Sequence, residues 1–142
     1  MLVKDVMVKD VKTIEKGSSI QDAAKKMTEL RIGSLVVVDD KSRMIGIITE
    51  ADILEIVAEN KCGEGKVDDA MTKKVFYVKP EDDLLDAVDI MIENKIKKLP
   101  VIDKGALLGI VTVTDAVAAE PKLLDQVGKL ILFAPRKKGI AG

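Results

Sequence analysis

The spacing of apolar positions changes period in a regular order along the chain. Val11-Lys12-Thr13-Ile14 alternates apolar and polar residues, as a short strand does. Ser18-Ser19-Ile20-Gln21 follows with the S-x-x-Q spacing of a capping box, which satisfies the free amides at a helix start. Ile20, Ala23, Ala24, Met27 and Leu30 then share one helical face. Leu35-Val36-Val37-Val38 is an unbroken, β-branched run that predicts a buried strand. Asp39-Asp40-Lys41-Ser42 predicts a turn, and Met44 to Ile48 returns as the next strand. Thr49 opens a second helix that runs through Glu59.

The same order then recurs. Met7 and Met71, Ile20 and Leu84, Ala23 and Ala87, and Met27 and Met91 each stand 64 positions apart. So do Leu35-Val36-Val37-Val38-Asp39 and Leu99-Pro100-Val101-Ile102-Asp103. Gly46 and Gly109, and Asp52 and Asp115, stand 63 apart, so one residue is lost where a hairpin loop belongs. The chain is therefore two copies of a β-α-β-β-α motif, at residues 1–60 and 65–121, with a tail at 122–142. In the second copy, strands are expected near Val75–Val78, Lys98–Ile102 and Leu107–Val111. Its helices are expected near Asp83–Asn94 and Val113–Ala119. Pro100 cannot donate to a ladder, so its strand belongs at an edge or is irregular there. The helices holding Leu84–Ile92 and Ile53–Ala58 are apolar on more than one face, which predicts a second covering. That covering is either the other repeat or a partner copy. Beyond Pro121, Leu123, Leu124, Val127, Leu130, Ile131 and Leu132 form a last helical stripe, before a basic end at Arg136-Lys137-Lys138 that reads as a solvated terminus.

Composition removes several classes of chemistry. Among 142 residues there is no His, which excludes Ser-His-Asp and Cys-His catalysis and imidazole zinc sites. Cys62 is the lone cysteine, which fits a reducing cytoplasm and leaves no Cys-rich metal cluster. Lys plus Arg is 23 against 24 Asp plus Glu, so no net field favours nucleic acid or an anionic membrane. Phe76, Tyr77 and Phe133 are the only aromatics, too few for a platform of stacked bases. No apolar run approaches the roughly 18 residues that a spanning helix needs.

The most specific signal is Gly46-Ile47-Ile48-Thr49-Glu50-Ala51-Asp52 and its twin Gly109-Ile110-Val111-Thr112-Val113-Thr114-Asp115. T-x-x-D is a helix cap, and the same carboxylate can accept two hydrogen bonds from a ribose diol. With the tandem repeat, the LVVVD and LPVID strands and the D-x-M starts, these turns resemble the CBS-domain pair, or Bateman module. The resemblance implies an α+β fold in which two CBS motifs pack through their sheets. It implies clefts for adenosine ligands, either AMP, ADP and ATP or S-adenosylmethionine, with no required cofactor. It also implies a regulatory, energy-sensing role without catalysis, a homodimer formed through helices, and a separate regulated protein. A structural dimerisation module with empty clefts is the alternative.

Residue by residue, the resemblance assigns one cleft to Thr112, Thr114, Asp115, Lys98, Leu99 and Pro100, completed by Met7, Val11, Lys12 and Thr13. Asp115 would hold the ribose, the two threonines and Lys98 the phosphates, and Val11, Leu99 and Pro100 the base. The other cleft would use Thr49, Asp52 and Ser34 with Met71, Val75, Phe76 and Tyr77. Ser34 stands there for Lys98 and Ala51 for Thr114, so weaker phosphate binding, or a ligand with less charge, is expected.

Overall fold

The computed structural model describes residues 1–60 and 65–132. The chain divides into two compact units that do not follow the sequence order of the repeats. One holds Val11–Val75 with Lys104–Leu107; the other holds Met1–Asp10, Phe76–Asp103 and the chain from Leu108 onward. Each repeat has thus lent its opening segment to the other's unit.

The first-repeat unit contains β1 (Thr13–Glu15), α1 (Ile20–Leu30), β2 (Ser34–Val38), β3 (Met44–Thr49), α2 (Glu50–Ala58) and a one-turn helix α3 (Val67–Ala70). Its sheet runs β1-β2-β3, with β2 parallel to β1 and antiparallel to β3. The central strand is flanked on both sides, so its unbroken apolar run is buried throughout. Ile14, Ile20, Ala23, Met27, Leu35, Val37, Ile48 and Val67 form one core. Val67 comes from the opening turn of the second repeat and is wholly buried. The cap of α1 is Ser19, whose hydroxyl accepts from Asp22 N–H at 2.9 Å. The S-x-x-Q pattern had placed that cap one residue earlier, at Ser18.

Gly17 N–H donates to the Asp68 carboxylate at 2.7 Å, tying the loop after β1 to α3. That bond, opposed by desolvation, holds Asp68 below the usual carboxylate range. A depressed native value means the contribution is present above the unfolded value of about 3.9 and is lost as pH falls through the native one. A carboxyl-carbon NMR titration is expected to place the Asp68 midpoint below about 3.9, and an ordinary midpoint would contradict the assignment.

The second-repeat unit contains a 3-10 turn (Val3–Asp5), α4 (Leu84–Asn94), β4 (Lys98–Asp103), β5 (Ala106–Thr112) from Leu108 onward, α5 (Val113–Ala119), a second 3-10 turn at Pro121–Leu123 and α6 (Leu124–Leu132). Val3 is wholly buried among Leu84, Val88, Met91, Leu99 and Val111. Leu123 and Val127 enter the same core, with Leu130 packed against it. α6 therefore covers the outer side of the α4–α5 pair. Gly128 lies on the open side of α6, where an added Cβ would meet nothing within 4 Å. Gly128→Ala is expected to stabilise this unit by about 0.5–1 kcal/mol in chemical denaturation.

The strand expected at Val75–Val78 is absent. Only Val78 pairs, in an isolated parallel bridge to Val101, so this sheet has two strands. Two prolines account for the loss. In the first repeat, Val36 N–H donates to the Lys12 carbonyl and Lys16 N–H to the Val38 carbonyl. The counterparts of those two donors are Pro100 and Pro80, which have no N–H to give. What survives is Val78 N–H to the Pro100 carbonyl at 3.0 Å and Ile102 N–H to the Val78 carbonyl at 2.9 Å. β4 is consequently close to an edge strand, as the proline requires.

The two helices expected to be apolar all round also part ways. α4 buries Leu84, Ala87, Val88 and Met91. α2 has no buried residue, and Leu54 and Val57 are 68% and 52% exposed.

Candidate functional site

Each repeat ends its last strand on a threonine that caps the next helix. Thr49 and Thr112 are both still extended, and each hydroxyl accepts from an amide of the first turn. The donors are Asp52 N–H at 3.3 Å and Asp115 N–H at 3.0 Å. Glu50 N–H donates to the Gly33 carbonyl and Val113 N–H to the Lys97 carbonyl, which anchors each helix start beside the start of the neighbouring strand. Ser34 is thereby set opposite Thr49 in the β2–β3 register. Lys98 takes the equivalent place at the start of β4.

The glycine of each motif admits a close crossing. A Cβ on Gly46 would come within 2.8 Å of the Thr72 carbonyl oxygen, and one on Gly109 within 2.8 Å of the Val8 carbonyl oxygen. Those crossings pair Ile47 with Thr72 and Val8 with Ile110, so Met71 and Met7 each lie against the glycine of their own unit.

The two aspartates differ in what they hold. The Asp52 carboxylate accepts from Thr49 N–H at 2.9 Å and from the Thr49 hydroxyl at 3.1 Å, which closes a full capping box. In the second repeat only the outward half of that box forms: Asp115 N–H reaches Thr112, but the Asp115 carboxylate does not close back on it. Diverting Asp52 to another partner gives up cap stabilisation of about 1 kcal/mol, and diverting Asp115 does not.

The remaining expected site residues fall as follows. Thr112, Thr114, Asp115, Lys98, Leu99, Pro100, Met7, Phe76 and Tyr77 belong to the second-repeat unit. Val11, Lys12, Thr13, Ser34, Thr49, Asp52, Met71 and Val75 belong to the first-repeat unit. Leu99 must be corrected: it is wholly buried in the core beneath α4, so its side chain cannot sandwich a base. Strand alternation sends its neighbour Pro100 to the opposite face, where it too is buried, so the expected base contact of Pro100 is corrected as well. Phe76 and Tyr77 are half exposed. Cys62, Phe133 and the Arg136-Lys137-Lys138 end lie outside the described residues. Among the described residues no group of acidic or thiol side chains could hold a metal ion, and no helix is long and apolar enough to cross a membrane.

One feature was missed by the pattern of residues. A groove of about 450 Å³ runs between α1 and α2, lined by Ala24, Met27, Ile53 and Leu54, with Arg31 and Glu50 beside Gly33. The exposed apolar face of α2 was its only trace in the sequence.

The CBS domain model matches the chain twice, at residues 3–59 and 67–122. The chain belongs to the CBS domain family. An uncharacterised 17.7 kDa protein of Acidianus ambivalens is 40% identical over 124 residues, covering 87% of this chain and 73% of that protein. The chain spans less than two thirds of the length of further curated relatives. Among solved structures, the CBS domain pair of protein MJ0100, in complex with 5-methylthioadenosine and S-adenosyl-L-methionine, superposes with a TM-score of 0.76. It is 30% identical and the match covers 86% of this chain and 97% of that one. CBSX2 in complex with AMP gives 0.77 at 28% identity, again over 86% and 97%. The fold is therefore the α+β tandem CBS pair that the repeat implied.

Proposed function

We propose that this CBS pair is a regulatory module that binds an adenosine-containing ligand and passes the binding event to a separate protein. The observation that carries the reading is the Asp115 carboxylate, which sits in the motif without closing its own cap. It accepts two hydrogen bonds from the ribose 2′- and 3′-hydroxyls. Thr112 and Thr114 offer hydroxyls, and Lys98 a cation, to the charged end of AMP, ADP, ATP or S-adenosylmethionine. Phe76 and Tyr77, which the resemblance assigned to the other cleft but which share the unit of Asp115, present half-exposed rings to a base. The crystallised complexes of MJ0100 and CBSX2 support an adenosine ligand as the class. The role is binding and not turnover: the hydroxyls, carboxylate and ammonium of this set act as hydrogen-bonding and charge partners of the ligand. The ligand redistributes the module's conformations only through a difference in affinity between them.

Thermal melting tests the reading. A ligand present at 100 times its Kd stabilises the folded state by about 2.7 kcal/mol, a shift of several degrees. At least one of AMP, ADP, ATP and S-adenosylmethionine is expected to produce it. No shift with any of them would contradict the proposal and favour a module with empty clefts.

A further inference from the structure

The two T-x-x-D motifs are matched in backbone and opposed in charge. Glu50 N–H donates to the Gly33 carbonyl at 3.0 Å, and Val113 N–H donates to the Lys97 carbonyl at 2.9 Å. The repeat offsets pair the same residues, Gly33 with Lys97 at 64 and Glu50 with Val113 at 63. Both units therefore make one and the same contact, with different side chains on it. In the second-repeat unit Val113 is buried in the core and Lys97 is exposed. In the first-repeat unit the charge has changed sides. Gly33 has no side chain, and the Glu50 carboxylate lies over it: a Cβ added to Gly33 would come within 2.6 Å of Glu50 Oε1. An acid thus stands where the other repeat begins a lysine side chain. The neighbours extend the contrast. The stretch that opens β4 carries Lys95, Lys97 and Lys98, and α5 starts with one carboxylate, Asp115. The stretch that opens β2 carries Arg31 alone, and α2 starts with two, Glu50 and Asp52.

From this inversion we infer that Glu50 closes the Thr49 motif to phosphate, so that the chain holds one adenosine ligand, at the Asp115 motif, and that this ligand is a phosphate-bearing nucleotide and not S-adenosylmethionine. The inference rests on the proposed function for the presence of an adenosine ligand. It adds the ligand's charge, its number per chain and the residue that decides both. A phosphate brought to the Thr49 motif meets the Glu50 carboxylate, and specificity is set by such repulsion as much as by attraction. A ribose brought there meets Asp52 already committed to Thr49 N–H and the Thr49 hydroxyl. At the Asp115 motif both obstacles are absent. Lysine ammonium groups bind phosphate as point charges there, whereas the sulfonium and ammonium of S-adenosylmethionine are repelled by them.

The test is calorimetric titration of the full chain with AMP and with S-adenosylmethionine. The wild-type chain is expected to take one AMP, bound about tenfold tighter or more than S-adenosylmethionine at low salt, with the preference shrinking as salt screens it. Gly33→Lys combined with Glu50→Val copies the second-repeat contact into the first and is expected to raise the stoichiometry to two AMP per chain. Gly33 does not occupy a positive φ and Glu50 is exposed, so the pair is expected to fold, which far-UV dichroism and the melting temperature check. S-adenosylmethionine binding as tightly as AMP, two AMP on the wild-type chain, or a folded double variant that still takes one AMP would each overturn the inference. The two wild-type readouts decide it without any variant. Preference for S-adenosylmethionine leaves the proposed function standing, whereas binding of no adenosine ligand overturns both.

Discussion

Asp115→Ala is expected to weaken binding of the adenosine ligand by at least a hundredfold while leaving the melting temperature of the free protein within about 2 °C. The size follows from losing a charged acceptor to two ribose hydroxyls, each such bond contributing about 1.5–3 kcal/mol. The unchanged stability follows from the cap. Thr112, not the Asp115 side chain, accepts the first-turn bond, and Asp115 offers only its backbone N–H. Asp52→Ala is the matched contrast. It removes an acceptor that holds both Thr49 N–H and the Thr49 hydroxyl, so it costs stability of about 0.5–2 kcal/mol. Calorimetry and denaturation of the two variants check the pair together. Equal loss of affinity in both would mean that the two motifs serve the ligand alike.

Val3→Asp is expected to unfold the second-repeat unit, although the substitution lies at the chain's beginning. Val3 is wholly buried against Leu84, Val88 and Leu99. Its amide donates to the Asp82 carbonyl at 2.8 Å, so the backbone is fixed there as well as the side chain. An unpaired carboxylate in that core costs about 3 kcal/mol or more, a large share of a small domain's stability. Hydrogen exchange locates the damage. Protection is expected to fall first across α4 and β4, with β2 and β3 retained longest. Loss that begins in β2 and β3 would contradict the interleaved assignment of the opening segments.

The elements were legible where a local pattern governs them. Leu35 to Val38 reads as a central strand and is one, because burial on both faces demands the unbroken run. The helices capped by Thr49, Asp83 and Thr112 begin where their residues predict, since a cap acts within a single turn. The missing strand near Val75 was less visible. Its own residues suit a strand, and the obstacle is the absent N–H of Pro100 across the ladder together with its own Pro80. The exchange of opening turns was not visible either. One valine in a turn, Val3 or Val67, does not say which core it enters.

The candidate site divides along the same line. T-x-x-D marked both helix starts, and strand pairing brought Ser34 to Thr49. The burial of Leu99 was readable from the unbroken apolar run, since Leu99, Pro100 and Val101 are all buried. The unlike roles of Asp52 and Asp115 were beyond any pattern, because the spacing is identical and only side-chain direction differs. The bare face of α2 was recognisable as apolar, but its exposure was not, because the equally apolar α4 is buried.

The central claim is that this CBS pair binds an adenosine ligand through Asp115. Calorimetric titration with AMP, ATP, S-adenosylmethionine and NADH at physiological salt tests it most directly. The account predicts saturable heat from an adenosine ligand in the wild-type chain and none in Asp115→Ala. Heat from no ligand, or the same isotherm in both proteins, would contradict it.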